Sequence, residues 1–166
     1  MTFLYHHVPD EMQGSVLYPL ERLKVRDPAL WARHVEKYKD RSGLLKSRIP
    51  ILDCLWGEVL FFSPVHPQKI CNALRKAGIN KTIRCFEVPA RLLCRNSAVM
   101  LPTLEDGRIF VSYAACSVNR YTEIPQHTID YYRSCGGEMP LLYHGVPQIL
   151  HRGTLNIAGL RIVEGR

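Results

Sequence analysis

The chain has 166 residues, of which 46% are hydrophobic and 22% are charged, a balance typical of a soluble globular protein and sufficient for one domain, predicted over residues 1–166. No apolar run approaches the ~20 residues needed to cross a bilayer, which argues against a membrane protein. A formal net charge of +7, from 22 basic and 15 acidic residues, favours an anionic partner, with nucleic acid as the leading candidate.

The first half of the chain predicts a strand, a turn and an amphipathic helix. Phe3–Val8 fits an opening strand, and Pro9–Gly14 fits a turn. Asp27-Pro28 has the form of an N-cap followed by proline at the first helical position, so we expect a helix over Ala29–Asp40. The basic stretch Arg41–Ser47 is then predicted to be a loop.

The central part predicts a strand that runs directly into a helix. Glu58–Ser63 is apolar and fits a core strand, whereas Ile49–Leu55 fits either a core strand or a strand with a short turn. Proline ends the strand and suits the start of the next helix, at Pro67, with Gly78 as its C-terminal signal. A hydroxyl at a strand end that faces a helix N-terminus, here Ser63, is a common place to bind a phosphorylated ligand.

The last third predicts further strands and two segments of uncertain type. Thr82–Val88 alternates apolar and charged residues like a strand, and Glu105-Asp106-Gly107 fits a turn. The segments 113–122 and 126–135 are compatible with helix or loop. Glu138–Tyr143 and Gly159–Val163 are predicted to be closing strands. Together these elements predict one α+β domain.

The six cysteines predict a reduced protein rather than a disulfide framework. They form no C-x-x-C pair and show no zinc-binding spacing with histidine. Several lie in apolar contexts, where a free cysteine behaves as a small hydrophobic residue. With no signal-peptide pattern at the N-terminus, the expectation is a cytoplasmic protein without a structural metal. The six are Cys54, Cys71, Cys85, Cys94, Cys116 and Cys135.

Three short segments together resemble a known family. They are Leu4-Tyr5-His6-His7, Phe62-Ser63-Pro64, and the stretch from Gly136-Gly137-Glu138 to Val146-Pro147. In their order and rough spacing the chain resembles the ADP-ribosyltransferase fold and, more narrowly, the DarT-type DNA ADP-ribosyltransferase toxins. The resemblance implies a central, mostly antiparallel, split β-sheet flanked by helices. It departs from the family pattern at Met139-Pro140, which replaces an apolar pair, and over residues 94–133, which match nothing in it.

The resemblance also implies a set of site residues and a substrate. His6 would hold the nicotinamide-side ribose of NAD, and either Arg41 or Arg48 would contact NAD, with the sequence leaving the choice open. Glu138 would be the catalytic carboxylate at the head of a late strand. The remaining cofactor-binding residues are Tyr5, Phe62 and Ser63. Taken singly, each of these residues also fits an ordinary structural role.

These residue types suit the implied chemistry. Cleavage of the glycosidic bond of NAD leaves a ribose with oxocarbenium character, which a carboxylate stabilises while it orients the attacking nucleophile. An arginine fork matches the pyrophosphate oxygens. The expected protein is therefore an NAD-dependent mono-ADP-ribosyltransferase of the toxin or defence type. It would need no metal and would act on nucleic acid, DNA rather than RNA.

Three alternatives stay open at this point. The first is a basic nucleic-acid-binding domain that uses tyrosine and arginine side chains and has no catalytic activity. The second is an enzyme like the tRNA 2′-phosphotransferases, which share the broad fold, although no clear His-x-x-Arg set is present. The third is an interaction protein with a decayed site. The sequence does not identify an antitoxin or another regulatory protein.

Overall fold

The computed structural model describes residues 1–103, 105, 107–115 and 117–166. The strands in these ranges are β1 (Phe3–His7), β2 (Val16–Leu17), β3 (Arg48–Ile49), β4 (Cys54–Leu55), β5 (Val59–Phe62), β6 (Ile83–Pro89), β7 (Ser97–Pro102), β8 (Arg108–Ser112), β9 (Gln148–Arg152), β10 (Leu155–Asn156) and β11 (Arg161–Gly165). The α-helices are α1 (Leu20–Arg26), α2 (Pro28–Val35), α3 (Pro67–Lys76) and α4 (Gln126–Ser134). Four 3₁₀ segments complete the set: Glu36–Lys46, Trp56–Glu58, Ala90–Leu93 and Ser117–Tyr121.

Two antiparallel sheets form the centre of this mixed α/β structure. One has three strands in the order β1-β6-β11, and the other has four in the order β5-β9-β7-β8. Two further pairs, β2 with β10 and β3 with β4, are short. The expected mixture of helices and antiparallel sheet is therefore present.

The two main sheets meet at a single bridge between β1 and the end of β5. The backbone N–H of Tyr5 donates to the carbonyl of Ser63 at 2.8 Å, and the N–H of Ser63 donates back to Tyr5 at 2.9 Å. One residue further along, the strands have separated. There the imidazole of His6, rather than a backbone N–H, reaches the carbonyl of Phe61 at 2.7 Å. A side chain thus satisfies a carbonyl at the edge of the second sheet.

Apolar side chains pack into three clusters around these sheets. The first lies on the face of β1 and β5 that carries Leu4 and Phe62. The second joins α3 and α4 to β6 and includes the fully buried Leu74 and Tyr132. The third fills the space beside β7 and β9, with Trp56 at its edge next to the 3₁₀ segment 36–46. In the described residues no helix is long and apolar enough to span a bilayer.

Local sequence signals predict the start of α2 and the central strand–helix unit correctly, whereas α1 was not predicted. Asp27 caps α2, since its side chain accepts the N–H of Leu30 at 2.9 Å. The predicted helix 29–40 is correct only in its first part. After Val35 the chain tightens into 3₁₀ geometry, which is interrupted by a kink at Arg41 (φ −138°, ψ 36°) and resumes in the predicted loop 41–47 as far as residue 46. The strand β5 and the helix α3 are confirmed, and Gly78, with a φ of 80°, follows the end of α3 as expected.

The predicted strand Glu138–Tyr143 is wrong. Gly136 and Gly137 both have positive φ, 61° and 89°, and turn the chain back over α4. Side chains of α4 then satisfy the backbone of this segment in place of a neighbouring strand. The hydroxyl of Thr128 donates to the carbonyl of His144 at 2.9 Å, and the hydroxyl of Tyr131 accepts the N–H of Leu141 at 3.2 Å. The late strand is β9, which begins only after Val146-Pro147.

Other expectations from the last third are confirmed with shifted limits. The strand predicted at 82–88 is β6, and the one predicted at 159–163 is β11, two residues further on. Segment 126–135 is the helix α4, and residues 117–121 form a 3₁₀ turn. The predicted turn at 105–107 includes Asp106, which lies outside the described residues, as does Cys116. Residues that flank that turn close a β7–β8 hairpin, since Thr103 and Gly107 are joined by two hydrogen bonds.

We predict that Gly165→Ala destabilises the protein, because β11 passes too close to α3 to admit a side chain. A Cβ at Gly165 would lie 2.5 Å from the carbonyl carbon and oxygen of Pro67. Relief requires movement of backbone, and overpacking of this kind costs about 1–3 kcal/mol in the free energy of unfolding. Gly43→Ala is the matched control, since nothing lies within 4 Å of its Cβ. Chemical denaturation would show the contrast, and equal stabilities would contradict the close approach.

Candidate functional site

A cavity of about 300 Å³ lies between the β1–β5 junction and the helices that follow β1. Its floor comes from the strands, with His6, Leu60 and Phe61, and its other walls come from α1, α2 and the 3₁₀ segment 36–46. Apolar side chains dominate the lining, and a few polar ones converge on the same space, which is the usual composition of a small-molecule site. The cavity is therefore the principal candidate for ligand binding.

The helices α1 and α2 form the cover of this cavity rather than part of the core. Neither helix contains a buried residue. Their leucines, among them Leu20, Leu23 and Leu30, line the cavity. The basic residues of the two helices, Arg22, Lys24, Arg26 and Arg33, are exposed. Both helices are thus held by one apolar stripe that faces the cavity and by their contacts with each other.

His6 presents a hydrogen-bond acceptor at the cavity wall. Its Nδ1 lies 2.7 Å from the carbonyl oxygen of Phe61. Because a carbonyl only accepts, Nδ1 must carry the proton and donate it, which leaves Nε2 with a lone pair. Burial is the main cause that lowers the pKa of His6 to about 4. The ring is therefore neutral at pH 7, and Nε2 suits a hydroxyl donor such as that of a sugar.

Trp56 supplies a buried donor without a partner. The residue is 7% exposed and lines the cavity, and its Nε1 has no hydrogen-bond partner among the described residues. Its ring packs against Phe61, with centroids 4.9 Å apart, and the guanidinium of Arg108 lies 4.9 Å from its centroid. An unmet buried N–H costs about 1–3 kcal/mol.

The charge of the cavity wall is positive or neutral. Lys37 lines it together with His34, whose pKa is lowered by burial and then by the neighbouring Lys37 and Arg33. In the parts of the chain that the structure describes, no carboxylate lines this cavity. The lining suits a neutral or anionic ligand and disfavours a cationic one.

Three of the sequence-predicted residues lie at the sheet junction but outside the cavity lining. Tyr5 points to the second cluster, with its ring edge-on to His66 at 5.1 Å, and burial is the main cause that raises its pKa. Ser63 is 2% exposed, and its hydroxyl accepts the N–H of Val65 at 3.1 Å. Phe62 is buried against His6, with ring centroids 5.1 Å apart. These residues support His6 rather than reach a ligand in the cavity.

The expected phosphate-binding position at the start of α3 is occupied by the protein itself. The imidazole of His66, not the hydroxyl of Ser63, caps the helix, since His66 Nδ1 accepts the N–H of Gln68 at 3.1 Å. The C-terminal residue Arg166 also binds there, through its backbone to the side chain of Gln68. The backbone of Arg166 and the imidazole of His66 together take the place of a ligand.

The two candidate arginines lie on the exposed surface of the segment that covers the cavity. Arg41 stands over the ring of Tyr38 at 5.6 Å, and Tyr38 itself lines the cavity, so Arg41 lies near its rim. Arg48, on β3, forms an ion pair with Asp53. Arg41 is therefore better placed than Arg48 to reach a ligand in the cavity.

The structure does not bring Glu138 to the cavity. It is exposed in the turn after α4, where its N–H donates to the carbonyl of Cys135 at 3.1 Å. The head of the late strand, the position at which a catalytic carboxylate was expected, is occupied by Gln148. The prediction for Glu138 followed from the predicted strand 138–143, and that strand is absent.

Sequence reasoning missed Trp56, Lys37 and His34 as lining residues. Trp56 lies between the two apolar segments 49–55 and 58–63 and carried no pattern of its own. Lys37 is one of the charged residues of the predicted amphipathic helix 29–40, and His34 carried no pattern of its own. The sequence signal that could have found the cavity is the narrow apolar face of α1 and α2. That face is too narrow to bury either helix in a core, and so it indicates helices that cover a cavity.

No family model matches this chain, and neither the curated proteins nor the solved structures contain a match to it. Within the described ranges, no three His, Cys, Asp or Glu side chains converge in a way that could hold a metal ion. The described cysteines, which exclude Cys116, are free. Function must therefore be argued from the cavity and its surface.

We predict that His6 makes stability depend on pH. Its pKa is about 4 in the folded protein and about 6.5 in the unfolded chain, so the unfolded state binds more protons between these values. His6 therefore contributes up to about 3 kcal/mol to the free energy of unfolding. This contribution is fully present above pH 6.5 and is lost as the pH falls towards 4. His6→Asn keeps a donor for Phe61 and does not titrate.

The measurement is the free energy of unfolding from pH 7.5 to 4 in both proteins. Other histidines with lowered pKa values, His34, His66 and His151, contribute to both curves and cancel in the difference. The wild-type curve should fall more steeply than that of His6→Asn. Parallel curves would show that His6 is not a buried neutral base.

Proposed function

We propose that the protein is an NAD-dependent mono-ADP-ribosyltransferase that modifies nucleic acid, DNA rather than RNA, and that it holds part of NAD in the cavity beside His6. The observation that carries this proposal is the imidazole of His6 at the junction of the two sheets. Its Nδ1 is fixed by the carbonyl of Phe61 at 2.7 Å, and its Nε2 is left to accept a hydrogen bond from a ribose hydroxyl.

The fold around His6 supports this proposal. The resemblance to ADP-ribosyltransferases implies a central, mostly antiparallel, split sheet flanked by helices. Here two antiparallel sheets meet at the single bridge between Tyr5 and Ser63, and His6 follows at the point where they separate. The cavity opens on the side of the split that carries His6 and Leu60.

The cavity also suits the chemistry of a nucleotide. Its volume of about 300 Å³ is at the lower end of the range for small-molecule sites, which fits one nucleoside half of NAD rather than the whole molecule. Lys37 and, near the rim, Arg41 would attract the pyrophosphate.

In the proposed reaction the bond between the ribose anomeric carbon and the nicotinamide nitrogen breaks, and nicotinamide leaves with the bonding electrons as a neutral molecule. A nucleophilic nitrogen or oxygen of the acceptor forms the new bond to that carbon and then loses its proton. Glu138 is the proposed carboxylate that stabilises the charge on the ribose and receives the proton. Because Glu138 is exposed and does not line the cavity, its role requires the ribose to reach the turn after α4.

A second candidate function is a nucleic-acid-binding domain that transfers nothing. The exposed position of Glu138 and the lack of a lining carboxylate in the described cavity favour it. In that case the cavity would bind a nucleotide without cleaving it. The two functions differ in whether nicotinamide is released.

We predict that incubation with NAD labelled in its adenosine half transfers label to DNA in preference to RNA or protein. Glu138→Gln should lower transfer at least ~100-fold, the scale of a positioned acid or base, while NAD binding stays intact. Glu123→Gln, which removes a carboxylate from another exposed site, is the control. Normal transfer by Glu138→Gln would reject the catalytic assignment, and no transfer to any pool by the wild type would favour the second function.

We predict that His6→Ala weakens NAD binding by about 1–3 kcal/mol, the cost of leaving a buried hydrogen-bonding group without its partner. His127→Ala, at an exposed site outside the cavity lining, should leave affinity unchanged. Titration calorimetry measures the wild type and both variants, and equal affinities would place NAD elsewhere.

A further inference from the structure

We propose that the acceptor strand docks on the basic helical surface formed by residues 20–48, which comprise α1, α2, the 3₁₀ segment 36–46 and the start of β3. This inference deepens the proposed function and rests on it only for the idea that the bound nucleic acid is also the acceptor. Three properties distinguish this surface: its positive charge, the exposure of its basic side chains, and the aromatic rings that they contact.

The excess positive charge of the protein is concentrated in this segment. Residues 20–48 contain nine of the 22 basic residues and four of the 15 acidic ones. Their net charge is +5, whereas the remaining 137 residues carry +2. A charge this dense on one surface attracts a polyanion far more strongly than the same charge spread over the molecule.

All nine basic side chains of the segment are exposed. Three of them form ion pairs: Arg33 with Glu11, Lys39 with Glu36, and Arg48 with Asp53. The other six make no ion pair with any residue that the structure describes; they are Arg22, Lys24, Arg26, Lys37, Arg41 and Lys46. Most of the positive charge is therefore available to phosphates.

Aromatic rings alternate with these cations. Lys24 lies 5.5 Å from the ring of Trp31, and Arg26 lies 4.4 Å from the ring of Tyr18. Arg41 lies 5.6 Å from Tyr38. The three rings are only partly buried. Tyr18 and Tyr38 also line the cavity, whereas Trp31 does not, so Trp31 is the ring of this surface on which a base can stack. Cations that follow a backbone, together with rings that accept bases, are the usual means of binding a single strand.

The same helices argue against a lipid surface as the partner. An interfacial helix needs a free apolar face to enter the acyl region. Here Leu20, Leu23 and Leu30 face the cavity, and Val25 is an isolated large apolar side chain on α1 at 85% exposure. The outward face is polar and basic, which fits phosphates in solution rather than insertion.

The position of this surface connects it to the cavity. α1 and α2 carry the leucines that line the cavity on one side and the basic residues on the other. A strand that binds the outer side therefore lies one helix thickness from a ligand beside His6. That arrangement would bring an acceptor base near NAD at the rim where Arg41 lies.

The test is the affinity of the full chain for fluorescent 20-nucleotide single strands of DNA and RNA with the same sequence, measured by anisotropy from 50 to 200 mM salt. Each phosphate contact contributes about −0.9 to the slope of log affinity against log salt for a duplex and somewhat less for a single strand. The surface variant combines Arg22→Gln, Lys24→Gln, Arg26→Gln and Lys46→Gln. Its affinity for the strands should be at least tenfold lower at 100 mM salt. The slope of log affinity against log salt should become less negative by about 2–3.

The matched control removes the same number of charges elsewhere. It combines substitutions to Gln at Lys76, Arg91, Arg95 and Arg120, which are exposed and make no ion pair with a described residue. The control should keep most of the wild-type affinity. Equal losses in both variants would show that overall charge, not this surface, binds the strand. Circular dichroism of both variants checks folding, and Arg22→Gln with Lys46→Gln alone repeats the test with less perturbation.

Two further results would overturn the proposal: no salt-sensitive affinity of the wild type for either strand, or tight binding to anionic phosphatidylserine vesicles with none to the strands. The proposed function fails separately. If the strands bind this surface and NAD is not cleaved, the docking surface is supported and the ADP-ribosyltransferase activity is rejected. If DNA is labelled equally by the wild type and the surface variant at limiting DNA, the acceptor docks elsewhere.

Discussion

The organisation of this protein depends on how β1 leaves β5. The two strands share one bridge, at Tyr5 and Ser63, and then separate. Separation would leave the carbonyl of Phe61 without a partner at the edge of the second sheet, and a buried carbonyl without a hydrogen bond is costly. The imidazole of His6 fills that position at 2.7 Å. The side chain of His6 thus supplies the hydrogen bond that the carbonyl of Phe61 would otherwise lack where the strands separate. The same side chain lines the cavity.

The same constraint explains why the cavity has a cover instead of a filled core. Once β1 and β5 diverge, the chain that joins them must span the gap, and it does so with α1, α2 and the 3₁₀ segment 36–46. These elements bury no residue completely and are held by a narrow row of leucines. By contrast, α3 and α4 pack their fully or nearly fully buried side chains against β6 and against each other. The cover therefore has fewer buried side chains to hold it in place than α3 and α4 have.

The two sides of the cover, which consists of α1, α2 and the 3₁₀ segment 36–46, have different surroundings. Apolar residues on the inner side shape a space for a small molecule, and basic residues on the outer side raise the local potential for a polyanion. Neither side contributes much to the core, so the residues there are not constrained by packing. A segment of this kind is free to carry binding residues on both faces without loss of the sheets beneath it.

The sequence by itself determined those features that depend on neighbours along the chain. The N-cap at Asp27, the strand from Val59 to Phe62 that stops at Pro64, and the helix from Pro67 follow from local propensity and proline geometry. The place of His6 on the opening strand is also local. Only the tertiary structure decided the rest. The apolar run 138–143 is bound by α4 side chains and is not a strand, so Glu138 is exposed, and the cavity acquires Trp56 and Lys37 because elements distant in sequence meet there. Local pattern fixes what a segment can form, whereas hydrogen-bond partners from elsewhere in the chain decide which of those forms is stable.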